Sequence, residues 1–137
     1  MPAGWLGADM IDETVKQLAQ QPNFAALSTL MPDGRPQTHV MWVDADDEHL
    51  LINTELHRQK ARNVERDPRV TVTVIDREDP YHYAEVRGRV VEVVRGDQAR
   101  AHIDQLSRKY FGRDYDPANI QTERVILRIQ PDEVHVR

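Results

Sequence analysis

Ile52-Asn53-Thr54-Glu55-Leu56-His57-Arg58-Gln59-Lys60-Ala61-Arg62-Asn63 is the stretch around which the rest of this chain is organised. An apolar run that closes at Thr54 reads as a strand, and a short helix opens near Arg58, carrying Arg58, Lys60 and Arg62. The first N–H groups of a helix lack intrahelical partners, and the macrodipole adds positive potential there. Hydroxyl, amide, Arg and Lys side chains at that junction make a seat for a phosphate. The plain alternative is a strand followed by a solvated basic helix.

The surrounding composition favours a small anionic ligand. The 137 residues carry a formal net charge of -5, with 39% hydrophobic and 30% charged residues. That is ordinary for one soluble domain spanning 1–137 and unlike a general nucleic-acid binder, which is basic overall. Yet from His57 to Arg69 five basic residues (Arg58, Lys60, Arg62, Arg66, Arg69) stand against two acids (Glu65, Asp67), a local balance of +3. Such an island suits a compact anion better than a polymer. The absence of cysteine excludes disulfides, a thiolate nucleophile and Cys-ligated metal, and points to the cytoplasm. Met1 to Leu6 has neither the basic region nor the apolar run of a signal peptide, and no stretch has the apolar length of a membrane span.

Taken in order, Asp9 is the expected cap of a first helix bearing Ile11, Val15, Leu18 and Ala19 on one face and stopped by Pro22. Phe24 to Leu30 and Gln37 to Val43 read as a hairpin about Asp33-Gly34, where Gly34 accepts positive φ. Asp44 to Glu48 reads as a polar turn and His49 to Thr54 as the third strand. Beyond the short helix, Arg69 to Ile75 alternates Val70, Val72 and Val74 on one face. The run from Tyr81 or Tyr83 to Val94 is long, and strict alternation along it would bury Glu92. With Gly88, that slip predicts a bulged or bent strand. Ala99, Ile103, Leu106 and Tyr110 mark a third helix ended by Gly112. Arg124 to Ile129 and a short Val134 to Val136 complete six or seven strands. The pattern is mainly β (α+β): a closed antiparallel barrel decorated by about three peripheral helices.

Conventional catalytic motifs are missing. There is no Gly-x-Ser-x-Gly, Walker loop, Gly-x-Gly-x-x-Gly or His-Glu-x-x-His, and Ser28 and Ser107 lack nucleophile context. The six histidines lack metal-ligand spacing, and Asp44, Asp46 and Asp47 lack the Gly and terminal Glu of a calcium loop, so no metal is expected. What remains is a cofactor-shaped set: Thr29, Gln37, Thr38, His39 and Thr54 at strand ends, with Arg58, Lys60 and Asn63 on the helix. Trp42, Tyr81 and Tyr83 offer stacking surfaces. A protein that positions a redox cofactor needs no conspicuous acid or base of its own.

Together these residues resemble the flavin-reductase-like split β-barrel family typified by pyridoxamine 5′-phosphate oxidase. The likeness rests on Phe24-Ala-Ala-Leu-Ser-Thr-Leu30, the turn Asp33-Gly34-Arg35-Pro36, the strand His49 to Thr54 and Arg58 to Asn63. Asp67-Pro68-Arg69-Val70 and Tyr83 to Gly88 extend it, so it spans roughly Asp9 to Arg137. Within that family the chain looks most like the actinobacterial reductases of group B that depend on the deazaflavin coenzyme F420. The resemblance implies that Arg58 and Lys60 hold the cofactor phosphate and Asn63 helps fix the helix; Thr54 and Asn63 are then expected to shape that pocket. It implies that Gln37, Thr38, His39 and Val40 lie along the ring, with Tyr81 and Tyr83 contributed by the partner of a homodimer. The strand Thr38 to Val43 lacks the second cationic pair of the pyridoxamine-phosphate oxidases, and no tryptophan follows Trp42, which sets this chain apart from those enzymes. The expected activity is hydride transfer from reduced F420 to a small electron-poor organic acceptor. Arg35, Arg62 or Arg124 would supply further positive charge for the cofactor's tail. An FMN-dependent oxidoreductase, a non-catalytic F420 carrier and a haem-handling protein with His135 as axial ligand are the alternatives.

Overall fold

The computed structural model describes residues 10–137. Asp9 and the stretch Met1 to Leu6, for which a helix cap and the lack of a signal peptide were expected, lie outside the described residues. The first helix, α1 (Glu13–Gln20), is capped by Asp12, whose carboxylate accepts from the backbone N–H of Thr14 and Val15. Asp12 satisfies two N–H groups that have no partner within the helix, and this sets the helix start.

The strands are β1 (Phe24–Leu30), β2 (Pro36–Met41), β3 (Asp44–Ala45), β4 (Leu50–Glu55), β5 (Arg69–Ile75), β6 (Tyr83–Val94) and β7 (Arg124–Val136). Helices α2 (Gln59–Arg66) and α3 (Asp97–Phe111) follow β4 and β6, and a 3₁₀ turn covers Pro117–Asn119. All seven strands form one antiparallel sheet in the order β2-β1-β5-β6-β7-β4-β3. The sheet curls but is not closed by hydrogen bonds, so the barrel is split, with β2 and β3 as its two ends. No helix among the described residues is long and apolar enough to cross a membrane.

The interior follows from alternation. Ala25 and Leu27 of β1, Val70, Val72 and Val74 of β5, Ala84 and Val86 of β6, and Val125, Leu127 and Ile129 of β7 form one core with Ile52. Each fully buried Leu or Ile there contributes about 1.5–3 kcal/mol. Val15, Leu18 and Ala19 of α1, with Ile11 just before its cap rather than on the helix as expected, close one end of this core. A smaller cluster of Leu51, Val94, Ala99 and Ile126 joins α3 to the outer face of β4, β6 and β7.

Several boundaries differ from the sequence reading. β2 stops at Met41, and Asp44-Ala45, read as part of a turn, pairs with Leu51 and Leu50 as a short strand. The Asp46 carboxylate then closes that turn by accepting from Glu48 and His49 N–H. The final strand is continuous because two bulges keep β6 and β7 paired. Asp132 is the extra residue between Glu133 and Pro131, opposite Arg87 and Gly88, and Val91 is the extra residue between Val90 and Glu92. The second bulge turns Glu92 outward, which explains the slip in alternation. A Cβ on Gly88 would lie 2.2 Å from the Gln130 carbonyl oxygen, so only glycine permits this close approach. At the other hairpin, Gly34 adopts φ +87, as its turn position requires.

Candidate functional site

A cleft of about 560 Å³ occupies the split between the two ends of the sheet. One wall is His39, Val40, Met41 and Trp42; the other is Asn53, Thr54 and Glu55 of β4, followed by Arg58 and Lys60 at the start of α2. Ile103, Leu106 and Phe111 of α3, Tyr115, and Arg124 of β7 complete the lining. The volume falls in the range that holds a small organic ligand, roughly 300–1,000 Å³.

The basic end is built by β4 and α2. Arg58 precedes α2 without giving it a side-chain cap; its carbonyl accepts from Ala61 and Arg62 N–H, which leaves the N–H groups of Gln59 and Lys60 without a partner among the described residues. Lys60 is only 5% exposed, and among the described residues neither its ammonium nor the Arg58 guanidinium enters an ion pair or a side-chain hydrogen bond. Burial, with Arg58 and Arg124 adding repulsion, lowers the Lys60 pKa to about 8. Arg124 is lowered too, first by burial and then by Arg58, although Tyr115 and Glu55 oppose the shift.

Glu55 is the one carboxylate in the lining, and it is already committed. Its Oε1 accepts from Gln121 N (2.7 Å) and Thr122 N (2.8 Å), and its Oε2 lies 3.4 Å from Arg124. Burial pushes Glu55 up, but those two N–H groups and Arg124 outweigh it and hold the group below the usual range. Three cations therefore face one carboxylate, an arrangement that attracts a further anion. His39 is lowered by burial and then by Lys60 and Arg58, which disfavours its charged form.

Five of the ten residues singled out from the sequence, His39, Val40, Thr54, Arg58 and Lys60, line the cleft. Asn63 lies beneath it, fully buried, and holds α2 against β1. Its Nδ2 donates to Thr29 Oγ1 (3.0 Å), and its Oδ1 accepts from Gln59 (2.8 Å) and Arg66 (3.2 Å). Gln37 and Thr38 stand outside the lining. Thr38 is bonded to Ser28 at 2.7 Å, and Gln37 Oε1 is buried without a hydrogen-bond partner among the described residues. Tyr81 and Tyr83 also lie outside the cleft of their own chain. Tyr81 is 76% exposed in the turn before β6, and Tyr83 pairs with Ile75.

The sequence reading did not single out the apolar wall from α3 and the loop after it. Trp42 stacks on Tyr110 (centroids 5.0 Å apart, planes at 6°) and meets the edges of Phe111 and Tyr115. Arg124 sits 5.3 Å from the centroid of the Tyr115 ring. The only sequence signal was aromatic residues crowding the end of an amphipathic helix, which does not say what they face. Cations at one end and an aromatic wall at the other fit a flat heterocycle bearing a phosphate.

The sequence profile described as pyridoxamine 5′-phosphate oxidase matches residues 11–137. Among solved structures, one called an F420 reductase is 35% identical with a TM-score of 0.79, covering 91% of this chain and 98% of its own. A conserved hypothetical protein from Mycobacterium tuberculosis is 25% identical, with a TM-score of 0.70 and coverage of 94% and 86%. A putative pyridoxamine 5′-phosphate oxidase from Listeria innocua, 18% identical with a TM-score of 0.63 over 88% of this chain and 92% of that one, shares the fold. With nearly all of its described length matched, this chain belongs to the pyridoxamine 5′-phosphate oxidase family.

Proposed function

We propose that this chain is an oxidoreductase that binds coenzyme F420 in the cleft and reduces a small electron-poor organic acceptor. The observation that carries the reading is Lys60: a residue buried along its stem whose ammonium opens on the cleft with no anionic partner among the described residues, beside Arg58 and an uncapped helix N-terminus. A buried charge is retained without a partner only at substantial cost, and the missing partner is an anion. The solved F420 reductase, at 35% identity, supports the choice of cofactor.

Arg58, Lys60 and the N–H groups of Gln59 and Lys60 at the start of α2 hold the phosphate, with the Thr54 hydroxyl at its rim. Asn63 fixes α2 to β1, so the cations do not drift from the cleft. His39, whose charged form is disfavoured beside Lys60 and Arg58, offers a hydrogen bond, and Val40 and Trp42 exclude water from the ring face. Bound reduced F420 would supply the hydride, chemistry no side chain here provides.

The same reading makes the protein a homodimer. Val40 and Tyr81, 69% and 76% exposed, are apolar surfaces that a second copy would cover. Sedimentation of the wild type as a monomer at micromolar concentration would refute that part.

The deciding experiment is a fluorescence titration of the purified protein with F420 and, separately, FMN, on wild type and Lys60→Ala. The expected result is tighter binding of F420, weakened in the variant by about 1.5–3 kcal/mol with the circular dichroism spectrum unchanged. Tighter binding of FMN would replace the cofactor, and binding of neither would overturn the reading. Turnover of a panel of quinones and enones then separates an enzyme from a carrier.

A further inference from the structure

Four polar side chains form a continuous chain beneath α3, from the wall of the cleft to β3. Arg124 Nε donates to Asn53 Oδ1 at 2.8 Å. Asn53 Nδ2 donates to the Ala99 carbonyl at 3.0 Å and meets His102 Nδ1 at 3.1 Å. His102 Nε2 lies 3.0 Å from Asp44 Oδ2, and the other Asp44 oxygen accepts from Ala45 N at 2.9 Å. The His102 side chain is 7% exposed and that of Arg124 10%.

The chain has only one consistent polarity. A guanidinium offers no acceptor and a backbone carbonyl no donor, so Asn53 must turn its oxygen to Arg124 and its amino group to Ala99 and His102. His102 Nδ1 is then an acceptor, its proton sits on Nε2, and the Asp44 carboxylate receives it. Flipping the Asn53 amide would set two donors against each other at Arg124 and two acceptors at Ala99. The orientation of the guanidinium and the tautomer of the imidazole are therefore coupled.

We propose that His102 and Asp44 are positioning residues for Arg124: they lock the Asn53 amide, which holds the guanidinium with its free N–H groups toward the cleft as a pre-set anion anchor. Glu55 Oε2, 3.4 Å from one nitrogen, and the Tyr115 ring limit the remaining freedom. A long cation immobilised before binding loses less freedom when the anion arrives, so the benefit appears as affinity. Assigning the anion to F420 rests on the proposed function; the coupling within the chain does not.

His102→Met keeps volume and removes both ring nitrogens, whereas His102→Gln keeps an acceptor for Asn53 and a donor for Asp44. The test measures the F420 dissociation constant by fluorescence and the exchange protection of the Arg124 Nε–H by ¹⁵N NMR. The expected result is an increase of about tenfold in the dissociation constant and loss of protection in His102→Met. His102→Gln should retain both. Unchanged protection and affinity in a folded His102→Met would overturn the proposal and leave the chain as a tether for α3. Failure of the wild type to bind F420 would sink the cofactor assignment alone, with the NMR comparison still judging the coupling. If His102→Met does not fold, Asp44→Leu, at a more exposed site, is judged by the same two measurements.

Discussion

Replacing Lys60 by Met should stabilise the protein while impairing binding, and both effects can be sized. An unperturbed lysine titrates near 10.5, and burial beside Arg58 and Arg124 brings Lys60 to about 8. That difference corresponds to about 3 kcal/mol of unfavourable charge burial. Between those two values the unfolded chain binds more protons, so wild-type stability rises with pH across that window, and the cost is fully present below about pH 8. Met fills the same space without charge. Urea unfolding near pH 7 should therefore show Lys60→Met more stable by about 1–3 kcal/mol, with the gap closing towards pH 10. Lys109, also near 8, and Tyr110 titrate in both proteins and cancel in the difference. An anion in the cleft raises the Lys60 pKa and takes up a proton, so wild-type affinity for F420 should be flat below about pH 8 and fall above it. A variant less stable than wild type near pH 7, or a gap that persists unchanged at high pH, would refute the argument that Lys60 is a buried charge awaiting a partner.

Tyr110→Phe should cost about 1–3 kcal/mol, because the hydroxyl accepts from Val43 N and donates to the Asn23 carbonyl. Burial pushes Tyr110 up to about 12 from 10.0, so the wild type should lose stability as pH rises through that window and the variant should not, as alkaline unfolding would show. Gly88→Ala places a Cβ 2.2 Å from the Gln130 carbonyl oxygen and should lower the calorimetric Tm by about 5–10 °C; an unchanged Tm would contradict the close approach at the bulge. Asn63→Ala strands Thr29 and Gln59 and should cost about 1–3 kcal/mol in urea unfolding, with weaker F420 binding as α2 loosens.

The elements legible in the sequence were those whose evidence is local. β1 and β5 lie within Phe24–Leu30 and Arg69–Ile75 as expected, because alternation and flanking Pro, Asp or Gly mark both ends. The bulge in β6 was legible because Gly88 and a break in parity sit on the same strand. The continuity of β7 was not, since Pro131 is admitted only by a glycine more than forty positions earlier. The split in the barrel came only through the family resemblance: Asp44-Ala45 reads locally as a turn, and nothing in the strand pattern itself says that β2 and β3 will not meet. At the site, Thr54, Arg58 and Lys60 come from one continuous stretch and were readable together. The aromatic wall depends on where α3 lands, and that depends on Leu51, Val94, Ala99 and Ile126 meeting across the outer face of the sheet.

Buried polar groups in this fold divide by whether the fold itself satisfies them. Asn63 and Lys60 stand three residues apart on α2, and both are buried. The Asn63 amide is engaged at both ends by Thr29, Gln59 and Arg66, so its burial is explained by packing α2 onto β1. Glu55, equally buried, is engaged by Gln121, Thr122 and Arg124. Lys60 alone among these has its charge turned into the cleft with no partner among the described residues, at a cost that no packing argument offsets. A helix that satisfies one buried polar residue completely and leaves its neighbour on the same turn unsatisfied is built for two tasks, holding its own position and holding an anion. The sequence showed both residues; only the three-dimensional placement shows which of them the fold does not need.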